Sequence, residues 1–139
     1  MKDVQVVEKE VHVRINSDQD IVVARQKGRA LAVELGFSTG DATLIATSIS
    51  ELARNIVSYA RRGEITLKIV QASMRQGISI IASDSGPGIR DIRQAMRDGF
   101  STSGSLGLGL PGVRRLMDEF EIASEAGRGT IVTVKKWRQ

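Results

Sequence analysis

The sequence predicts a two-layer α/β sandwich, a mixed, mainly antiparallel sheet with helices on one face. Three observations carry this reading. Short apolar–polar alternations mark strands, and several follow one another through brief turns, which implies antiparallel pairing. Longer segments place apolar residues at helical spacing along one stripe each, which implies a helical layer on a single sheet face. The 139 residues, 41% of them hydrophobic, suit one domain with one core, spanning 1–139.

The elements follow in the order β-α-α-β-β-α-β-β. Val11, Val13 and Ile15 alternate with polar residues and read as a strand. Ser17 and Asp20 have the spacing of a capping box, with Asp in place of Glu or Gln. The helix they open carries Ile21, Val22, Ala24, Leu31, Ala32 and Leu35, and Gly36 ends it. A second helix opens near Ser38 to Asp41, buries Leu44, Ile45, Ile49, Leu52, Ala53, Ile56 and Val57, and stops before Gly63. Strands at Ile65–Ile69 and Ile78–Ala82 are joined by a turn near Arg75 to Gly77. A glycine-rich stretch follows, with one short helix near Ile92 to Met96. A third long helix runs from Leu110 to Phe120. Strands at Glu121–Glu125 and Thr130–Trp137 flank the turn Gly127-Arg128-Gly129. The first ten residues receive no assignment.

Composition excludes several function classes. There is no cysteine, so disulfides and thiolate metal sites are ruled out. His12, the one histidine, reads as an exposed strand residue and cannot build a zinc site alone. No apolar run approaches the roughly 18 residues of a membrane span, and Met1 to Glu10 lacks the apolar core of a secretory signal. A cytoplasmic location is expected. The net charge of +4 is spread along the chain with acids between, and aromatics are 4%. Without a stacking platform or basic block, nucleic acid is not an expected partner. A nucleotide ligand or an acidic protein accounts for the charge as well.

Four short motifs carry chemistry. Glu51 and Asn55, in Ser50-Glu51-Leu52-Ala53-Arg54-Asn55, stand one helical turn apart and share a face. Asn55 offers an amide oxygen to Mg²⁺, which takes most of its octahedral oxygens from phosphates and water. Glu51 offers a carboxylate to orient or deprotonate an attacking hydroxyl or water. Alone, the pair also reads as the solvated side of a helix. Asp84 begins Asp84-Ser85-Gly86-Pro87-Gly88 at a strand end. A carboxylate there accepts a hydrogen bond from an exocyclic amine such as adenine's, and the glycines let backbone pass close to a planar base. An ordinary tight turn has the same composition. Gly104, Gly107 and Gly109, with Leu110, precede the third helix, where amides and the helix N-terminus favour phosphate. Gly107 to Gly112 also fits a dinucleotide fingerprint, but no buried strand directly precedes it and the β-α repeats are missing. Thr130 opens the last strand, where its hydroxyl is placed to assist Asp84, although Gly127-x-Gly129 is also a common hairpin turn.

In this order the four elements resemble the ATP-binding boxes of the GHKL superfamily, named for gyrase, Hsp90, histidine kinases and MutL, from about residue 10 to the end. The resemblance implies the Bergerat ATP-binding fold, with ATP and Mg²⁺ as cofactors. It makes Asn55 the Mg²⁺ ligand and Glu51 the catalytic carboxylate. It places Asp84, Gly86 and Gly88 at adenine, with Thr130 in support. Gly104, Gly107, Gly109 and Leu110 become the phosphate loop, and the segment from about Arg90 to Ser105 the ATP lid. The dimerisation helices and phosphoacceptor histidine of sensor kinases are absent from the sequence. The longer runs Ser50–Ile56 and Asp98–Phe120 are similar to the bacterial anti-sigma and serine-kinase group, specifically the RsbT-type switch kinases of the stressosome. That resemblance implies a serine/threonine kinase of STAS-domain proteins which, once released, binds and activates a PP2C-type phosphatase. The alternatives are an anti-sigma factor kinase that sequesters a sigma factor, and a nucleotide-gated binding module whose kinase activity is incidental.

Overall fold

Strand β1 (Gln5–Ile15) leads into helix α1 (Asp18–Glu34), then α2 (Thr39–Asn55), which passes directly into a π-helical turn at Ile56–Ala60. Strands β2 (Gly63–Ala72) and β3 (Arg75–Asp84) follow, then helix α3 (Gly109–Leu116) and strands β4 (Glu119–Glu125) and β5 (Gly129–Trp137). The structure is a computed structural model that describes residues 5–89, 95–97 and 109–139, with side chains from residue 10 onward. Gly104, Gly107, most of the expected lid from Arg90 to Ser105, and most of the expected short helix near Ile92 lie outside the described residues.

The five strands form one sheet in the order β1-β2-β3-β5-β4. All four pairings are antiparallel, so the mixed character expected of the sheet is absent among the described residues. One face carries Val13, Ile15, Ile65, Leu67, Ile78, Ile80, Val132 and Val134 against Ile21, Leu31, Ile45, Ile49, Leu52 and Val113 of the helices. Each such side chain contributes about 1.5–3 kcal/mol on burial. Gly28 sits where α1 crosses α2, and a β-carbon there would run into Ile49 Cδ1.

The boundaries moved for identifiable reasons. Gln5 to Val7 pair with Gln71 to Ile69, so β1 starts earlier than the alternation at Val11 suggested, with a register irregularity between Val7 and Glu10. The β2–β3 turn falls at Ser73 and Met74, not Arg75 to Gly77. Ser73 takes the left-handed conformation (φ 54°) that the turn needs, and Gly77 is a strand residue opposite Val70 and Trp137. There Gly77 spares a clash with the Trp137 ring. The third helix ends at Leu116 rather than Phe120. Asp118 turns the chain into β4: its N–H donates to the Lys135 carbonyl at 2.9 Å, and its Oδ2 accepts from the Trp137 N–H at 2.8 Å. Phe120 is therefore a strand residue paired with Val134. Val22 is 41% exposed and lies off the buried stripe of α1. At the α1 start, Asp20 Oδ2 accepts from the N–H groups of Asn16 (2.8 Å) and Ser17 (3.1 Å), so Asp serves in the capping position expected of it.

The outer sheet face has no helical cover among the described residues. Ion pairs Lys68–Glu10 and Lys135–Glu119, both 3.7 Å, cross it, and His12 Nε2 lies 2.8 Å from Glu10. Trp137 interrupts its polarity. The ring packs with Val70 and Ala72 beneath the Arg75 guanidinium, 4.3 Å from its centroid, and Nε1 donates to Glu119 at 2.7 Å. No described helix is long and apolar enough to cross a membrane.

Candidate functional site

Ser38 Oγ accepts from the Asp41 N–H at 3.1 Å and starts α2, whose apolar residues then bury one face against the sheet. That burial fixes the rotation of the helix and hence the direction of Glu51 and Asn55. Glu51 is not on a solvated face. It is 8% exposed. A carboxylate that deep needs partners. Oε1 accepts from the Gly109 N–H at 3.2 Å, and Oε2 lies 3.9 Å from Arg54 Nε. Gly109 is the first residue of α3, so the negative charge rests against the positive end of a helix. Asn55, one turn further on, is half-buried, and its side chain has no partner among the described residues.

The π-turn was not legible in the sequence. The Arg61 N–H reaches back five residues to the Ile56 carbonyl at 2.8 Å. This wide turn sets Ala60 against the loop after β3. A β-carbon on Gly86 would stand 2.5 Å from that of Ala60, which is why the loop needs glycine there. The contact presses Asp84-Ser85-Gly86 onto the end of α2 that carries Asn55.

Asp84 ends β3 on the same side of the sheet as Ile78, Ile80 and Ala82, facing the helices. Oδ1 accepts from the Gly86 N–H at 2.9 Å. Its second oxygen has no partner among the described residues. Thr130 lies directly opposite on β5, and the two strand ends approach so closely that only glycine fits at 129. Gly129 has φ +105°, and a β-carbon there would strike the Asp84 carbonyl oxygen. Gly88 (φ +79°) passes equally close to the Glu125 carbonyl.

Ser124 escaped the sequence reading. Its Oγ accepts from the Ile89 N–H at 2.7 Å, donates to the Gly129 carbonyl at 3.1 Å, and stands 2.7 Å from Thr130 Oγ1. The one Ser124 proton is shared between the Gly129 carbonyl and Thr130, and in the hydroxyl pair either oxygen can donate. The Gly127 N–H also holds the Pro87 carbonyl, at 2.6 Å. The hairpin turn was a signal for Ser124, because the β4–β5 register brings residue 124 opposite 130. Its bond to Ile89, 35 residues away, left no sequence trace.

The structure thus gathers Asp84, Gly86, Gly88 and Thr130 into one cluster and Glu51 with Gly109 into another, with Asn55 on the helix end between them. Leu110 is buried in the core, so its side chain serves packing and only its backbone remains for a ligand. Among the described residues no three acidic or histidine side chains gather as a metal site. A shallow depression on β4 and β5, lined by Glu121, Ile122, Ala123, Ile131 and Thr133, shares no residue with either cluster.

Comparison with known proteins gives the family of the chain. Residues 40–139 match the model of the histidine kinase-, DNA gyrase B-, and HSP90-like ATPase family. The serine/threonine-protein kinase RsbT of Bacillus subtilis is 58% identical over 125 residues, covering 90% of this chain and 94% of the relative. An anti-sigma F factor of Caldanaerobacter subterraneus is 29% identical over 127 residues, covering 88% and 89%. Among solved structures, the RsbU and RsbW domains of Rv1364c from Mycobacterium tuberculosis share the fold, with a TM-score of 0.60 and 22% identity over 94% of this chain and 32% of that one. The helix-borne Glu51 and Asn55, the aspartate ending β3 and the glycine that opens α3 stand in an ATPase framework, and the chain belongs to the histidine kinase-, DNA gyrase B-, and HSP90-like ATPase family, in the group that contains the serine/threonine-protein kinase RsbT.

Proposed function

We propose that the protein is a Mg-ATP-dependent serine/threonine kinase that phosphorylates STAS-domain regulatory proteins in a partner-switching stress pathway and, when released from them, binds and activates a PP2C-type phosphatase. The observation that carries the reading is the buried Glu51 carboxylate held against the first amide of α3, 3.2 Å away, one turn from Asn55. Identity of 58% to a serine/threonine-protein kinase supports the reaction class.

Asp84 supplies an acceptor for the adenine amine with Thr130 in support, and the N-terminus of α3 supplies amides for phosphate. Mg²⁺ fits this donor set. Among the described residues the half-buried Asn55 amide has an uncommitted oxygen, and no three acidic or histidine side chains gather to compete for the ion. When bound, Mg²⁺ neutralises phosphate charge. Glu51 orients the substrate hydroxyl or takes its proton as that oxygen bonds to the γ-phosphorus and the bond to ADP breaks. Positioning and charge neutralisation account for most of such a reaction, so a small domain suffices when the partner brings the nucleophile.

The test is incubation of the protein with γ-labelled ATP, Mg²⁺ and STAS-domain proteins of the same genome. Label on a serine or threonine of one of them is expected. Label on none, with nucleotide bound, favours a nucleotide-gated binding module. A second reading, an anti-sigma factor kinase, is favoured by the 29% identity to an anti-sigma F factor, and retention of a sigma subunit in a pull-down selects it.

A further inference from the structure

We infer that Arg54 is a positioning residue for phosphoryl transfer, acting through Glu51. The inference deepens the kinase reading and rests on it. The Glu51 carboxylate meets a different partner at each oxygen. Oε1 accepts from a main-chain N–H, that of Gly109, and Oε2 faces the Arg54 guanidinium at 3.9 Å, an ion pair. A hydrogen bond at one oxygen and a positive charge beside the other bias the direction of the carboxylate as well as its position. Spacing at i and i+3 on α2 puts the two side chains on one side of the helix.

The two holds differ in permanence. The Gly109 amide opens α3, where a phosphate group competes for the same donor. Arg54 stands outside that competition. When nucleotide draws on the Gly109 N–H, the guanidinium is the positive charge left beside Glu51 to keep it aimed at the incoming hydroxyl. The Arg54 side chain is 47% exposed and that of Glu51 11%. Arg54 therefore spans from the buried carboxylate to the exposed surface beside Asn55. A half-exposed pair of this separation adds little to folding stability, so loss of Arg54 should act on turnover and leave the melting temperature unchanged.

The experiment compares wild type, R54A, R54K, E51A and E51A/R54A in single-turnover transfer from γ-labelled ATP to a STAS-domain acceptor, with calorimetric MgATP binding. Expected is a loss of about 10–100-fold in the transfer rate for R54A, MgATP affinity unchanged, and partial recovery in R54K. In the E51A background the second substitution should have no further effect, because Arg54 has lost the group it acts through. A wild-type rate in R54A overturns the inference, as does a full R54A loss on top of E51A. A second readout is independent of transfer: the Gly109 amide proton should exchange with solvent faster in R54A, since its acceptor is held at one oxygen fewer. Equal exchange in R54A and wild type counts against the inference. Wild-type protein that labels no acceptor sinks the kinase reading, while the Gly109 comparison still decides the role of Arg54.

Discussion

The two carboxylate oxygens of Asp84 differ. Oδ1 is committed to the Gly86 N–H at 2.9 Å and shapes the turn, while Oδ2 has no partner among the described residues. Asp84→Asn keeps an oxygen for the turn but replaces the other acceptor with a donor. ATP affinity should fall by about 1.5–3 kcal/mol, the range for a hydrogen bond to a charged group. Titration calorimetry on folded mutant protein checks this, and unchanged affinity removes Asp84 from the site. Glu51 and Asn55 divide along another line. Asn55→Ala should abolish Mg²⁺-dependent ATP binding. Glu51→Ala should leave most of it and slow transfer by about 10²–10⁴-fold, as loss of a general base does. Equal loss of nucleotide in both mutants would refute that division.

At the scale of elements, α2 is the part on which the site is built, and α1 holds it in place. The crossing is close because residue 28 is glycine, buried against Ile49. Gly28→Leu should push the helices apart and cost about 1–3 kcal/mol, the usual penalty of overpacking. Chemical denaturation measures it, and an unchanged midpoint would mean that α1 shifts freely. The π-turn Ile56–Ala60 shows the limit of reading helices from periodicity. Leu52, Ile56 and Val57 continue the apolar pattern of α2, so the sequence predicts one helix to the glycine at 63. The extra residue in the turn is set by Ala60 packing on Gly86, a contact that spans 26 residues of sequence, from 60 to 86.

For the whole molecule, the site lies at one end of the sheet, where α2, β3, β5 and the start of α3 meet. A ligand that touches all four ties them together in the folded state only. Saturating MgATP at 100 times its dissociation constant should therefore stabilise the protein by about 2.7 kcal/mol, read as a rise in melting temperature. Chelation of Mg²⁺ should remove most of that rise if Asn55 acts through the ion. A melting temperature indifferent to MgATP would mean that the folded protein does not bind it.

The sequence by itself determined the class of fold and the order of the eight regular elements, because those follow from local patterns: alternation, helical stripes, caps and glycine turns. Glu51 and Asn55 are one turn apart by counting, and Asp84 heads its loop by composition. The tertiary structure alone decided that Glu51 is buried rather than solvated, since only the arrival of α3 covers it. It decided that Ser124 bonds the hydroxyl of Thr130, because strand register sets their contact. It also decided that the last helix stops at Leu116, because Asp118 finds Lys135 and Trp137 on a strand that is formed later in the chain. Each of these is a contact between residues brought together by packing, and no local pattern encodes the partner that packing supplies.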